Sequence, residues 1–181
     1  MKVGWTSASL GASGTNLTVL GASAALNLEG TNVLTNNVHS GNNTKAGIGT
    51  TLTNILTINN RVTYNGRFNL GKVKPTRVSV DNDHNKGIVV EIYKNATLGG
   101  TTNYQYHNQT DSIVIQDTAG TTLSGDDLID SFTVFPQGSK EVDLTVLNTE
   151  LLPEQTYKIA ARTVSGTSTN ITAAITWKEE K

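Results

Sequence analysis

The side chains of this chain that could do chemistry are few and scattered. Three histidines stand at His39, His84 and His107, in separate segments, none two or four residues from another. A histidine that moves protons or binds metal needs a second group beside it. Each therefore reads as a solvated loop or strand residue. Asp81, Asp83, Asn85 and Gly87 alternate as hard oxygen ligands do at the start of a calcium loop. The likeness stops there, because the expected glycine position holds Lys86 and the position for a bidentate glutamate holds Ile92. A polar run between two strands is also an ordinary turn, which is the preferred reading.

Asp126, Asp127 and Asp130 could supply a carboxylate pair for glycoside hydrolysis if held across a cleft. Adjacent strand residues point to opposite faces, so the first two would not cooperate, and solubilising loop charges are expected instead. No nucleophile elbow, phosphate loop or dinucleotide fingerprint occurs. No catalytic, cofactor-binding or metal-ligating residue is assigned, no cofactor is expected, and the chain is read as non-enzymatic. Tyr104 and Tyr106 share one face of a segment and could stack on sugars; burial in a core is the reading preferred for both, and for Trp177. Trp5 sits alone among weakly apolar residues, which suggests docking against another subunit. Five Asn-x-Thr triplets, at Asn16, Asn42, Asn95, Asn108 and Asn170, match the glycosylation pattern but follow from the composition.

That composition limits what must position these groups. There are 28 Thr and 19 Asn in 181 residues, charged residues make up only 16%, and cysteine is absent. Thr suits a half-wet pleated surface and Asn suits turns, so strands joined by tight turns are favoured over helices. A net charge of −1 offers no field for nucleic acid. No apolar run is long enough to cross a membrane or to form a secretory leader after Lys2, so neither is expected.

The texture changes near residue 65. Residues 1–65 carry only Lys2, Glu29 and Lys45 before Arg61. They read as an extended arm whose short apolar pieces and lone tryptophan dock on a partner: Trp5, Leu17, Val19, Leu20, Ile55, Leu56 and Ile58; the alternative is a small extra sheet on the main domain. Residues 66–181 show about eight alternating segments. These include a short first one, Arg67–Leu70, then Thr76–Val80, Ile88–Tyr93, Thr102–His107, Ser112–Gln116 and Ile129–Phe135. Lys140–Leu144, Thr156–Thr163 and Asn170–Trp177 complete the set. The expectation is an all-β fold: an antiparallel, jelly-roll-like β-sandwich with an N-terminal arm.

From residue 88 onward the segment order becomes familiar. "VEIYKNATL" at 90–98, "SIVIQDT" at 112–118, the corner "LLPEQT" at 151–156 and "TAAITWKEE" at 172–180 resemble a domain of tailed-bacteriophage virion proteins. At the corner, Glu154 stands where that pattern favours glycine. The resemblance implies a virion component, foremost a capsid decoration (cement) protein that binds the major capsid protein. A homotrimer is implied by the same analogy. The alternatives are a tail-fibre or receptor-binding module and a carbohydrate-binding adhesin domain.

Overall fold

The computed structural model describes residues 37–125, 127–166 and 169–181, all within a unit spanning Leu34–Lys181. Fourteen strands are present among them, with one short 3-10 turn at Thr145–Leu147 and no α-helix. In chain order they are β1 (Asn37–Ile48), β2 (Thr53–Asn60), β3 (Thr63–Tyr64), β4 (Arg67–Phe68), β5 (Lys72–Asn82), β6 (Ile88–Lys94) and β7 (Thr97–Gly99). Then come β8 (Tyr104–Tyr106), β9 (Val114–Asp117), β10 (Thr122–Ser124), β11 (Leu128–Val134), β12 (Gly138–Asp143), β13 (Thr156–Thr163) and β14 (Thr169–Glu180).

Every pairing is antiparallel. One sheet has the order β1-β14-β5-β12 and the other β11-β6-β13-β2-β9-β8; β7 with β10 and β3 with β4 form two small ribbons. The alternating segments supply the core. Val78, Val80, Ile171, Ala173, Ile175 and Trp177 from the first sheet meet Ile58, Ile88, Val90, Ile92, Phe132 and Ile159 from the second. The antiparallel sandwich is thus the observed fold. Sequential strands repeatedly switch sheets, at β1 to β2, β5 to β6, and β11 through β14.

The boundary expected near residue 65 falls inside this sandwich. β1 and β2 lie on its N-terminal side, yet β1 pairs with β14 and β2 is flanked by β13 and β9. Ile55, Leu56 and Ile58, expected at a partner surface, are buried in the chain's own core and are unavailable to a partner. The reason lies in how β1 is held. It offers few apolar groups; instead Asn43 Nδ2 donates to the Ile55 carbonyl at 2.7 Å, and Lys45 Nζ donates to the carbonyls of Asn54 (2.8 Å) and Gly120 (2.7 Å). Gly41 lets β1 approach closely, since a Cβ there would collide with the Gln116 carboxamide. Polar docking of this kind leaves no apolar period to read. Trp5, Leu17, Val19 and Leu20 lie outside the described residues, as do residues 1–36 of the arm expected over 1–65.

Candidate docking surface

The expected chemistry-bearing groups resolve into structural roles. Asp81, Asp83 and Asn85 are exposed and do not converge; Asn82 between them turns inward and donates to the carbonyls of Lys86 (2.7 Å) and Phe135 (3.1 Å), closing the turn. Asp127 is exposed, Asp130 accepts from the Ser131 amide at 2.8 Å, and Asp126 lies outside the described residues. Among the described residues no three His, Asp or Glu side chains are close enough to hold a metal ion.

Two of the histidines are not isolated. β1 and the chain after β8 bring the rings of His39 and His107 to 5.2 Å, and both pack on Trp177 at 6.0 and 4.9 Å. Burial, and secondarily the neighbouring His39, hold the His107 pKa below the usual histidine value, against an opposing pull from Glu179. Gln116 Nε2 lies 2.7 Å from His107 Nδ1. Trp177 is fully buried, as expected.

Glu179, two residues on in the same inward rhythm, is fully buried too. It accepts from Trp177 Nε1 (2.9 Å), Ser112 Oγ (2.5 Å) and the Ile113 amide (3.0 Å), with Lys181 Nζ at 3.3 Å. Ser112 Oγ donates to a carboxylate and accepts from the Val114 amide, so its proton is not directed at a histidine base. This network fastens the end of β14 to the segment before β9.

The same end of the sandwich carries an inverted pattern. The turn at Asn65–Gly66, both at positive φ (51° and 72°), folds β3 onto β4. Next to it Asn69 points inward. Its Nδ2 donates to Asn60 Oδ1 and to the Arg61 carbonyl, both at 2.7 Å, and its Oδ1 accepts from the Gly71 amide at 2.8 Å. Asn60 Nδ2 in turn donates to the carbonyls of Gly71 (3.0 Å) and Leu151 (2.8 Å). Because side chains alternate, seating Asn69 inside turns its neighbours out. Phe68 is 83% and Leu70 90% exposed. They line a groove of about 530 Å3 with Tyr64, Arg67 and Lys181. Val62 and Tyr106 add exposed apolar surface nearby in the chain and fold.

Tyr104 and Tyr106 were expected in the core; both are outward, at 38% and 55% exposure, because β8 is a short edge strand whose partner is β9 alone. Phe68 and Leu70 read in sequence as an ordinary short strand. The signal that could have found the inversion is the apolar-Asn-apolar alternation following Asn65–Gly66. No protein-family model matches the chain, and no curated protein matches it.

Proposed function

We propose that the chain is a non-catalytic assembly module of a tailed-phage virion, a decoration protein that binds the major capsid protein on the head surface. The observation that carries the reading is the hairpin that holds Phe68 and Leu70 in water. Burying such side chains is worth roughly 1.5–3 kcal/mol each, and here a buried asparagine pair holds them outside this chain's own core. That arrangement supports an interface between proteins, and a rigid polar sandwich suits a component that binds without chemistry. The likeness of residues 88–180 to virion proteins supports the location. Self-association as a homotrimer belongs to the same proposal.

The test is a phage lacking the protein. Its heads should lose integrity at lower temperature, and adding back the purified chain should restore them. Phe68→Asp and Leu70→Asp should melt within about 0.5 kcal/mol of the parent, as exposed substitutions do, yet fail to restore the heads. Heads of unchanged stability on particles that no longer adsorb to cells would favour the tail-fibre reading instead. Tyr104 and Tyr106, both exposed, are the observation that keeps that second reading in view.

A further inference from the structure

Arg61 opens the hairpin segment, directly after β2, and its side chain is out of place for a structural cation. The residue is 8% exposed, yet its Nε is buried without a hydrogen-bond partner. Among the described residues its guanidinium forms no ion pair and no hydrogen bond. What it has is two ring faces: its central carbon lies 5.1 Å from the centroid of Tyr64 and 4.9 Å from that of Tyr106. Such contacts offset only part of the cost of removing a guanidinium from water, so the rings alone do not compensate it. The rings do fix its plane. Tyr64 is itself held, its hydroxyl donating to the Thr110 carbonyl at 2.7 Å.

Arg61 lines a groove of about 310 Å3 together with Thr63, Asn65, Tyr106, Gln109 and Thr110. That volume fits a single sugar ring. Its walls offer hydroxyls and carboxamides, the groups that read sugar hydroxyls, beside a half-exposed aromatic ring. Asp111, next to Thr110 in the chain, is engaged by Lys181 at 3.6 Å. An unpaired, oriented guanidinium is shaped to take two oxygens of one carboxylate side by side. We infer that this groove is a binding site for an acidic saccharide, with the sugar carboxylate on Arg61, its ring against Tyr106 and its hydroxyls on the Asn65 and Gln109 carboxamides. The inference stands apart from the docking reading of Phe68 and Leu70.

The test is a nuclear magnetic resonance titration of the full chain with glucuronate, glucose and acetate, followed at the Arg61 Nε–H and at the amides of Thr63, Gln109 and Thr110. Glucuronate should shift these signals, and glucose and acetate should each bind at least about tenfold more weakly. Charge-assisted hydrogen bonds of roughly 1.5–3 kcal/mol set that factor. Arg61→Gln should weaken glucuronate about tenfold or more. Tyr106→Ala, which removes the stacking ring and one of the two rings that orient Arg61, should weaken glucuronate. Should Arg61→Gln fail to fold, Gln109→Ala, on the rim, should still weaken glucuronate, and the wild-type Arg61 Nε–H reports the contact directly. Equal binding of glucose and glucuronate would overturn the inference, as would acetate matching glucuronate. So would a glutamate-bearing peptide that displaces the sugar at lower concentration, which would make the groove a protein contact.

Discussion

Replacing Lys158 with methionine should stabilise this protein at neutral pH. Lys158 lies on the outer side of β13, opposite Tyr93 on β6 and Thr57 on β2, and is only 1% exposed. Among the described residues its one hydrogen-bond partner is the Thr156 hydroxyl. Burial pulls its pKa from 10.5 down to about 8. At 1.36 kcal/mol per decade, holding the ammonium charged in that place costs up to about 3 kcal/mol at pH 7. Methionine has similar length and no charge; it forfeits the Thr156 bond, worth about 1 kcal/mol. The expected net gain is therefore about 2 kcal/mol. The pH dependence is the sharper signature. Below pH 8 the lysine is protonated both folded and unfolded, and the cost is fully present. Between 8 and 10.5 the unfolded chain binds the proton and the folded one does not, so wild-type stability rises relative to the variant. Tyr93, Tyr104 and Glu154 are the other titratable groups around this site, and they remain in both proteins. Urea unfolding of the pair at pH 7 and pH 10 measures the difference. A variant less stable than wild type at pH 7, or a gap that does not narrow on raising the pH, refutes the reasoning.

Glu179→Gln should destabilise by about 3 kcal/mol, because the amide presents its own donors to Trp177 Nε1, Ser112 Oγ or the Ile113 amide; denaturant melts check this. Acid should weaken the fold as pH falls below 6.5, where the unfolded chain takes up a proton that His107, held lower by burial and by His39, still refuses. His107→Gln should flatten that part of the stability–pH curve, read beside His39 and Glu179, which face it. Glu154 sits at φ 72°, a conformation that costs a non-glycine residue roughly 1 kcal/mol; Glu154→Gly should stabilise the fold by up to that amount, read as a higher melting midpoint.

The last of these shows what could be read in advance. The corner at 151–156 aligned with a pattern that favours glycine where this chain has glutamate, and the backbone there is left-handed. The strands that became the sandwich were legible because β5, β6 and β14 each bury every second residue over six or more positions, while β13, buried on both faces from Tyr157 to Ala161, still alternates in its large apolar groups Tyr157 and Ile159. β1 was not legible. Its inner contacts are the Asn43 amide, the Lys45 ammonium and the missing side chain of Gly41, which carry no hydrophobic period. β2 then looked like an isolated apolar piece, and Ile55, Leu56 and Ile58 were assigned to a partner that turns out to be the rest of the chain. The rhythm of β14 ran further than Trp177: one more step inward is Glu179.

Arg61, Asp117, Lys158 and Glu179 are the charged side chains buried among the described residues, and for Arg61, Lys158 and Glu179 how well each is satisfied separates their roles. Glu179 receives three hydrogen bonds and a nearby ammonium, so it fastens β14 to the segment before β9. Lys158 receives one hydroxyl, and Arg61 receives only two ring faces. Ala96, Leu98, Tyr104 and the corner at 153–156 surround Lys158, and Tyr64 and Tyr106 flank Arg61; strand alternation says nothing about such covering. Neutral substitutes order the three by sign. Removing the charge at Glu179 should harm the free protein, because its donors are left unpaired. Removing it at Lys158 should help, because little is lost. At Arg61, Arg61→Met should leave the free protein as stable or more so, while abolishing the response to an acidic sugar. A marked loss of stability for Arg61→Met would instead show that the two tyrosines compensate the guanidinium fully, leaving the groove nothing to gain from an anion.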